Sequence, residues 1–299
     1  MNGRLMKNIL KNKLIVISGF GRSGTTILGK VLGSMQPSVY CFEPPIMKYL
    51  SEFGLTNVPA KILFETHFLQ EIQGRGNMNS NDWSYCENYR DPKIIQFNRD
   101  RLKRREDAIK LLSEGDYKFI LKGTELQHHF ELMHGLFPGV RFVHIIRNGF
   151  ASVNSAISRG WYTDDYCNSD AVENMIPHFK CDIPCFIGGE SVLYWPDWNP
   201  ETRAACAWRN ATADGIRYKN KYPDRCIQFK YEDFISQPYN YAHYFREKFD
   251  LYSSRLTRKH IDSIGSYESN SIRDYTKTIL EPEFSKFIKL NKKLKYNLA

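Results

Sequence analysis

No two of the seven cysteines form a CxxC pair, and the nearest neighbours, Cys181 and Cys185, have three residues between them. An odd set of scattered thiols in a chain of 299 residues points to ordinary reduced cysteines, not to a disulfide framework or a zinc site. The sequence also lacks any long hydrophobic run. Leu14 to Ser18 is far shorter than a membrane span and leads straight into glycines. The basic start, Met1 to Lys7, is not followed by the apolar core of a signal peptide, so a cytoplasmic protein with no membrane partner is expected. Repeats and low-complexity tracts are missing too. Negative charge is in deficit. The net charge is +9 and the pI about 9.1, which suits an anionic partner such as a nucleotide, a nucleic acid or an acidic glycan. Two basic clusters, at 99–105 and 286–295, alternate with apolar residues at roughly helical spacing and read as solvated helix faces. No recognisable nucleic-acid module accompanies them, so DNA or RNA is not an expected partner.

What is present suffices for a sizeable core: 42% of residues are hydrophobic and 14% aromatic. One domain over 1–299 is expected. Lys13 to Ser18 is a short β-branched run, the form of a buried parallel strand. Thr25 to Met35 has helical spacing and stops at Pro37. Val39–Phe42, Tyr117–Lys122, Val140–Ile146 and Arg225–Lys230 read as further strands. Helices are expected over about 46–113, Glu125–Leu136, Phe150–Ser158 and Thr202–Lys221. Strands alternating with helices imply an α/β fold with a central parallel sheet, whose ligands bind at the carboxyl ends of the strands. Residues 160–200 have no clear period and read as an irregular insertion or lid on the substrate side.

The first strand runs into Gly19-Phe20-Gly21-Arg22-Ser23-Gly24-Thr25-Thr26. Glycines let such a loop turn tightly and let an anion approach backbone N–H groups, and the following helix points its partial positive charge at it. Gly19, Gly24 and Thr26 match the nucleoside-triphosphate loop GxxxxGK[ST], but Thr25 stands where its lysine would be. The cation, Arg22, lies inside the loop, and the third and fourth strands end in Lys122 and Arg147, not in a magnesium-holding aspartate. A metal-bound triphosphate is therefore disfavoured, and no metal is expected.

These residues resemble those of the PAPS-dependent sulfotransferases. Gly21-Arg22-Ser23-Gly24-Thr25-Thr26 is similar to the family's 5′-phosphosulfate loop. Phe142–Ile146 leads into Arg147-Asn148-Gly149, with Ser155 eight residues after Arg147, and resembles its 3′-phosphate site. Tyr231-Glu232-Asp233 resembles the YED segment near the adenine. The resemblance spans 13–236 and implies a P-loop-like fold with PAPS as donor and PAP as product. It implies that Gly21, Arg22, Ser23, Gly24, Thr25, Thr26, Arg147, Ser155 and Tyr231 hold the donor. Ser271 and Arg273 are weak candidates for the family's C-terminal 3′-phosphate contacts.

Sulfuryl transfer needs an in-line nucleophile, a base and cations on the leaving group, with positioning and electrostatics doing most of the work. Arg22 suits the bridging oxygen. Lys122 resembles the lysine of the cytosolic enzymes' KTH segment, but Gly123, Thr124 and Glu125 follow it where those enzymes carry a histidine. Glu43, in Cys41-Phe42-Glu43-Pro44-Pro45, resembles the glutamate base of the protein-tyrosine and some bacterial members. It is the preferred base, with Glu125 and His128 behind it. Residues 44–90 and 160–200 should form the acceptor site. The latter carries Trp161, Tyr162, Tyr166, Phe186 and Trp195 among acidic residues, which suits a small molecule, a cationic natural product included. The acceptor atom is a hydroxyl oxygen or an amine or guanidine nitrogen. Rival readings are a carbohydrate sulfotransferase, a P-loop kinase, and a non-catalytic nucleotide- or RNA-binding protein.

Overall fold

The computed structural model describes residues 13–43, 118–169, 175–264 and 278–296. The helical stretch expected over 46–113, the basic cluster at 99–105, the acceptor segment at 44–90 and the candidates Ser271 and Arg273 lie outside the described residues.

Five parallel strands form the central sheet: β1 (Leu14–Ser18), β2 (Ser38–Phe42), β3 (Lys118–Lys122), β4 (Arg141–Ile146) and β5 (Cys226–Lys230). Their order is β2-β3-β1-β4-β5. The near-continuous apolar character of β1, Leu-Ile-Val-Ile-Ser, follows from burial on both faces of a parallel strand. Ile15 and Ile17 face α1 (Thr25–Gly33), with Val143 and Ile145 beside them on that side. Against the same side pack α6 (Pro238–Phe249) and α7 (Arg255–Asp262), which follow α5 (Tyr231–Ser236). A second core gathers α3 (Gly149–Ile157), the long helix α4 (Pro200–Lys221) and α8 (Glu283–Lys293) around Trp208, Trp195 and Phe287. Between β3 and β4 lie a 3₁₀ turn, Leu126–His129, and the short helix α2 (Phe130–Leu136).

Glu125, expected as the first residue of a helix, instead takes a left-handed conformation at φ 59° ahead of that turn. The fold holds it there. Its N–H donates to Gly19 O at 2.9 Å, and the next N–H, of Leu126, donates to Ser18 Oγ at 2.8 Å. Among the described residues of the irregular 160–200 segment are two short α-helical turns, Asp164–Cys167 and Ser191–Tyr194, a 3₁₀ turn, Trp195–Asp197, and a minimal antiparallel pair, Met175–Ile176 with Ile183–Pro184. Among the described residues no helix is long and apolar enough to cross a membrane. The lysine-rich tail is helical as its spacing suggests, but one face of α8 is buried through Phe287 and Asn291.

Candidate active site

Sheet register assembles the site. Ile17 of β1 lies beside Lys122 of β3, and Lys122 lies beside Phe42 of β2. The residues just beyond these strand ends, Gly19, Gly123 and Glu43, therefore meet at the carboxyl end of the sheet, where Glu43 N–H donates to Lys122 O at 2.7 Å and Gly123 N–H to Ile17 O at 3.1 Å.

The loop from Gly19 to Thr26 is a cradle with little room for side chains. A Cβ on Gly24, at φ 88°, would lie 2.3 Å from the Tyr231 ring, and one on Gly21 2.6 Å from Trp161. No side chain caps the N-terminus of α1, which leaves its first N–H groups for an anion. Ser23 is buried, and its Oγ has no hydrogen-bond partner among the described residues. A buried hydroxyl left so is costly unless a ligand completes it.

The two arginines converge. Arg22, also left-handed at φ 74°, donates Nε–H to Ser155 Oγ at 3.1 Å. Arg147 donates from Nη1 to Arg22 O at 3.0 Å and stacks over Tyr231, its Cζ 4.7 Å from the ring centre. Arg22 of the glycine loop, the Arg147–Ser155 segment and Tyr231, far apart in sequence, thus form one cluster. Ser155 reaches it from α3, two turns beyond Arg147.

A latch that sequence reasoning missed holds the turn carrying Arg147. Trp208 of α4 donates its indole N–H to Arg147 O at 3.1 Å. Glu232 accepts the Asn148 N–H at 2.9 Å and the Tyr296 hydroxyl at 3.0 Å. Asn291 of α8 accepts the Gly149 N–H at 3.0 Å. Glu232 lies within a segment that the sequence singles out, but nothing in the sequence marks Asn291 or Tyr296, because Asn291 lies 142 residues from Gly149 and Tyr296 lies 64 residues from Glu232.

The acid–base candidates separate. Lys122 is buried, and its ammonium pairs with the Glu43 carboxylate, which is 43% exposed. Glu125 is half-buried, and its Oε1 accepts the Gly21 N–H at 3.2 Å. Burial pushes its carboxyl up to about 7. The Gly21 bond opposes this, the charge of Glu43 adds to it, and Lys122 opposes it. His128 is drawn elsewhere: Nδ1 pairs with Asp214 of α4, and the ring stacks on Phe186 at 4.3 Å.

The order of elements is similar to that of several solved structures. The sulfotransferase domain of the Synechococcus PCC 7002 olefin synthase aligns with a TM-score of 0.54 at 13% identity, over 97% of this chain and 96% of that one. The sulfotransferase domain from the curacin biosynthetic pathway aligns at 0.53 and 12% identity, over 95% and 98%. A sulfotransferase from Mycobacterium avium aligns at 0.52 and 13%, over 99% and 80%. At such identities the likeness speaks to fold. No curated protein sequence matches the chain. The family model described as the sulfotransferase family matches residues 15–178, over half of the chain and including the glycine loop, Lys122, Arg147 and Ser155, and the chain belongs to that family.

Proposed function

We propose that this protein transfers a sulfuryl group from PAPS to a nucleophilic oxygen or nitrogen of a small-molecule acceptor. The observation that carries the reading is the buried Ser23 hydroxyl, without a hydrogen-bond partner among the described residues, in a glycine cradle that joins the Arg22–Arg147–Ser155 cluster. The donor's groups fit what is there. The 5′-phosphosulfate would lie on the loop, with the N–H groups of Gly21 to Thr26 and the Ser23 hydroxyl as donors. Arg147 and Ser155 would take the 3′-phosphate, where a guanidinium fork supplies parallel charged hydrogen bonds. Tyr231, packed between Gly24 and Arg147, offers a ring face near the base.

In the transfer, Arg22 and Lys122 would neutralise charge growing on the bridging and sulfonate oxygens. A carboxylate, Glu43 or Glu125, takes the acceptor's proton. The segment 160–200 would cover the acceptor, and the aromatic lining of Trp161, Tyr162, Tyr166 and Phe186 beside Glu125 supports a small molecule there. A cytoplasmic setting belongs to the same reading, on the odd, scattered set of cysteines in the sequence.

The test is a thermal-shift titration with PAP. Saturating PAP at 100 times its Kd should stabilise the protein by about 2.7 kcal/mol. Arg22→Ala and Arg147→Ala should each remove most of that shift. If the wild-type protein shows no shift with PAP, the reading is wrong.

A further inference from the structure

Two carboxylates flank Lys122, and their surroundings differ. Glu43 is tied to the lysine and open to water. Glu125 is fastened to the phosphate loop at both ends, its N–H to Gly19 O and its carboxylate to Gly21 N–H. It also lines a cavity of about 80 Å³ with Thr124, Trp161, Tyr166 and Phe186, and Glu43 is not among the lining residues. Trp161 packs against Gly21 beside the Glu125 carboxylate and stacks on Tyr166 with ring centres 5.8 Å apart. The cavity therefore adjoins the loop, and Glu125 stands at the junction. Glu125 (φ 59°) and Glu43 (φ 42°) are both held in the left-handed region, at a cost of roughly 1–3 kcal/mol each, so it is the loop bonds and the cavity that set Glu125 apart.

We propose that Glu125 takes the proton from an acceptor hydroxyl seated between Trp161, Tyr166 and Phe186. The proposal rests on the PAPS reading above. In the step, the acceptor oxygen bonds to sulfur while the bond from sulfur to the bridging 5′-phosphate oxygen breaks. The electron pair of that bond stays on the phosphate oxygen, giving PAP, and the hydroxyl proton passes to the Glu125 carboxylate. Glu43 then serves to hold Lys122 in place. Aromatic walls suit a neutral phenol or alcohol. An amine would arrive protonated, pair with Glu125 and present no lone pair.

The titratable and charged groups that face Glu125 are Glu43 and Lys122 at the carboxyl end of the sheet, Tyr162 and Tyr166 over the cavity, and Cys185. With its carboxyl raised to about 7, Glu125 is near half-ionised at neutral pH, and an arriving anion must raise it further. PAP binding at pH 7 should then draw in a fraction of a proton. Calorimetry with PAP in two buffers of different ionisation enthalpy reads this without any acceptor. The wild-type protein and Glu43→Gln should both show the uptake, and Glu125→Gln should bind PAP with the net uptake lowered by that fraction, the protons moved by PAP's own phosphates being common to all three. With PAPS and 2-naphthol, Glu125→Gln should lose at least a hundredfold in kcat, and the acid limb of the wild-type kcat profile should lie above 7, where the charge of the bound donor moves it. Glu125→Asp, which keeps a carboxylate but withdraws it, should keep the uptake and lose about tenfold in kcat. It replaces the amide variant if that one does not fold.

Unchanged proton uptake in Glu125→Gln overturns the proposal, as does turnover within threefold of wild type. If 2-naphthol is not sulfated, the uptake result decides. If wild-type protein does not bind PAP, the donor reading itself falls. If PAP binds and only the Glu125 variants behave as wild type, the donor reading stands and this assignment alone is lost.

Discussion

Ser23 separates stability from binding at a single atom. Its hydroxyl is buried and has no partner among the described residues, so it is a burden on stability. Ser23→Ala should leave the melting temperature unchanged or raise it, because it removes an unsatisfied polar group. The same change should weaken PAP about 10- to 100-fold, the worth of one hydrogen bond to a charged acceptor. Calorimetry and thermal melting of the same sample check both halves. Gly24 makes the opposite case. Its φ is 88°, and a Cβ there would lie 2.3 Å from the Tyr231 ring, so Gly24→Ala should damage both properties. Such residues are legible in the sequence because their chemistry is local: glycines at fixed spacing, and an arginine inside the loop. Glu125 reads there as a helix start and a second-choice base, with nothing to show its place against the loop. Its left-handed backbone depends on Ser18 and Gly19, more than a hundred residues earlier, and no local pattern carries that information.

At the scale of elements, most strands and helices are readable because a buried parallel strand is a short apolar run and an amphipathic helix repeats at 3.6 residues. Strand β1 and helix α1 fall within two residues of their expected ends. What is not readable is how α8 serves the site. Its lysines suggest a solvated face, and its buried face carries the contacts that matter. Glu283 is fully buried and accepts two hydrogen bonds from Arg209 of α4, at 2.5 and 2.9 Å. Eight residues on, Asn291 holds Gly149, at the start of α3. Breaking a buried pair by removing one partner costs about 3–5 kcal/mol, because the other charge stays buried. Glu283→Ala should therefore lower the melting temperature by roughly 10 °C. If α8 latches the turn that carries Arg147, PAP affinity at 25 °C should fall as well, although no substituted atom touches the ligand. A melting-temperature loss with unchanged PAP affinity would show α8 to be structural support alone.

For the whole molecule, buried ionisable groups set a pH dependence whose sign is decided by counting protons. Burial lowers His144 to about 3 and His129 to about 4, the neighbouring charge of His128 adding to the effect in both. Below pH 6.5 the unfolded chain protonates these histidines and the folded protein does not, so stability falls as pH drops through that range. Glu125 acts in the other direction. Its carboxyl is raised to about 7, so between 4.5 and 7 the folded state holds the extra proton and stability falls as pH rises. Two histidines outweigh one glutamate. The net slope should be positive from about pH 4.5 to 6.5, up to one proton, or about 1.4 kcal/mol per pH unit. Near pH 7 the unfolded histidines, each about a quarter protonated, and the half-protonated Glu125 of the folded state cancel, so the slope falls to zero there. His134, also lowered by burial, adds to the rise below that point. Urea unfolding across pH 4.5 to 8 should therefore show stability rising to a plateau near pH 7. Glu125→Gln removes the opposing group, so its stability should climb more steeply between about pH 5 and 7, by up to one proton or about 1.4 kcal/mol per pH unit. Equal slopes in the two proteins over that range would mean that Glu125 is already ionised in the folded protein.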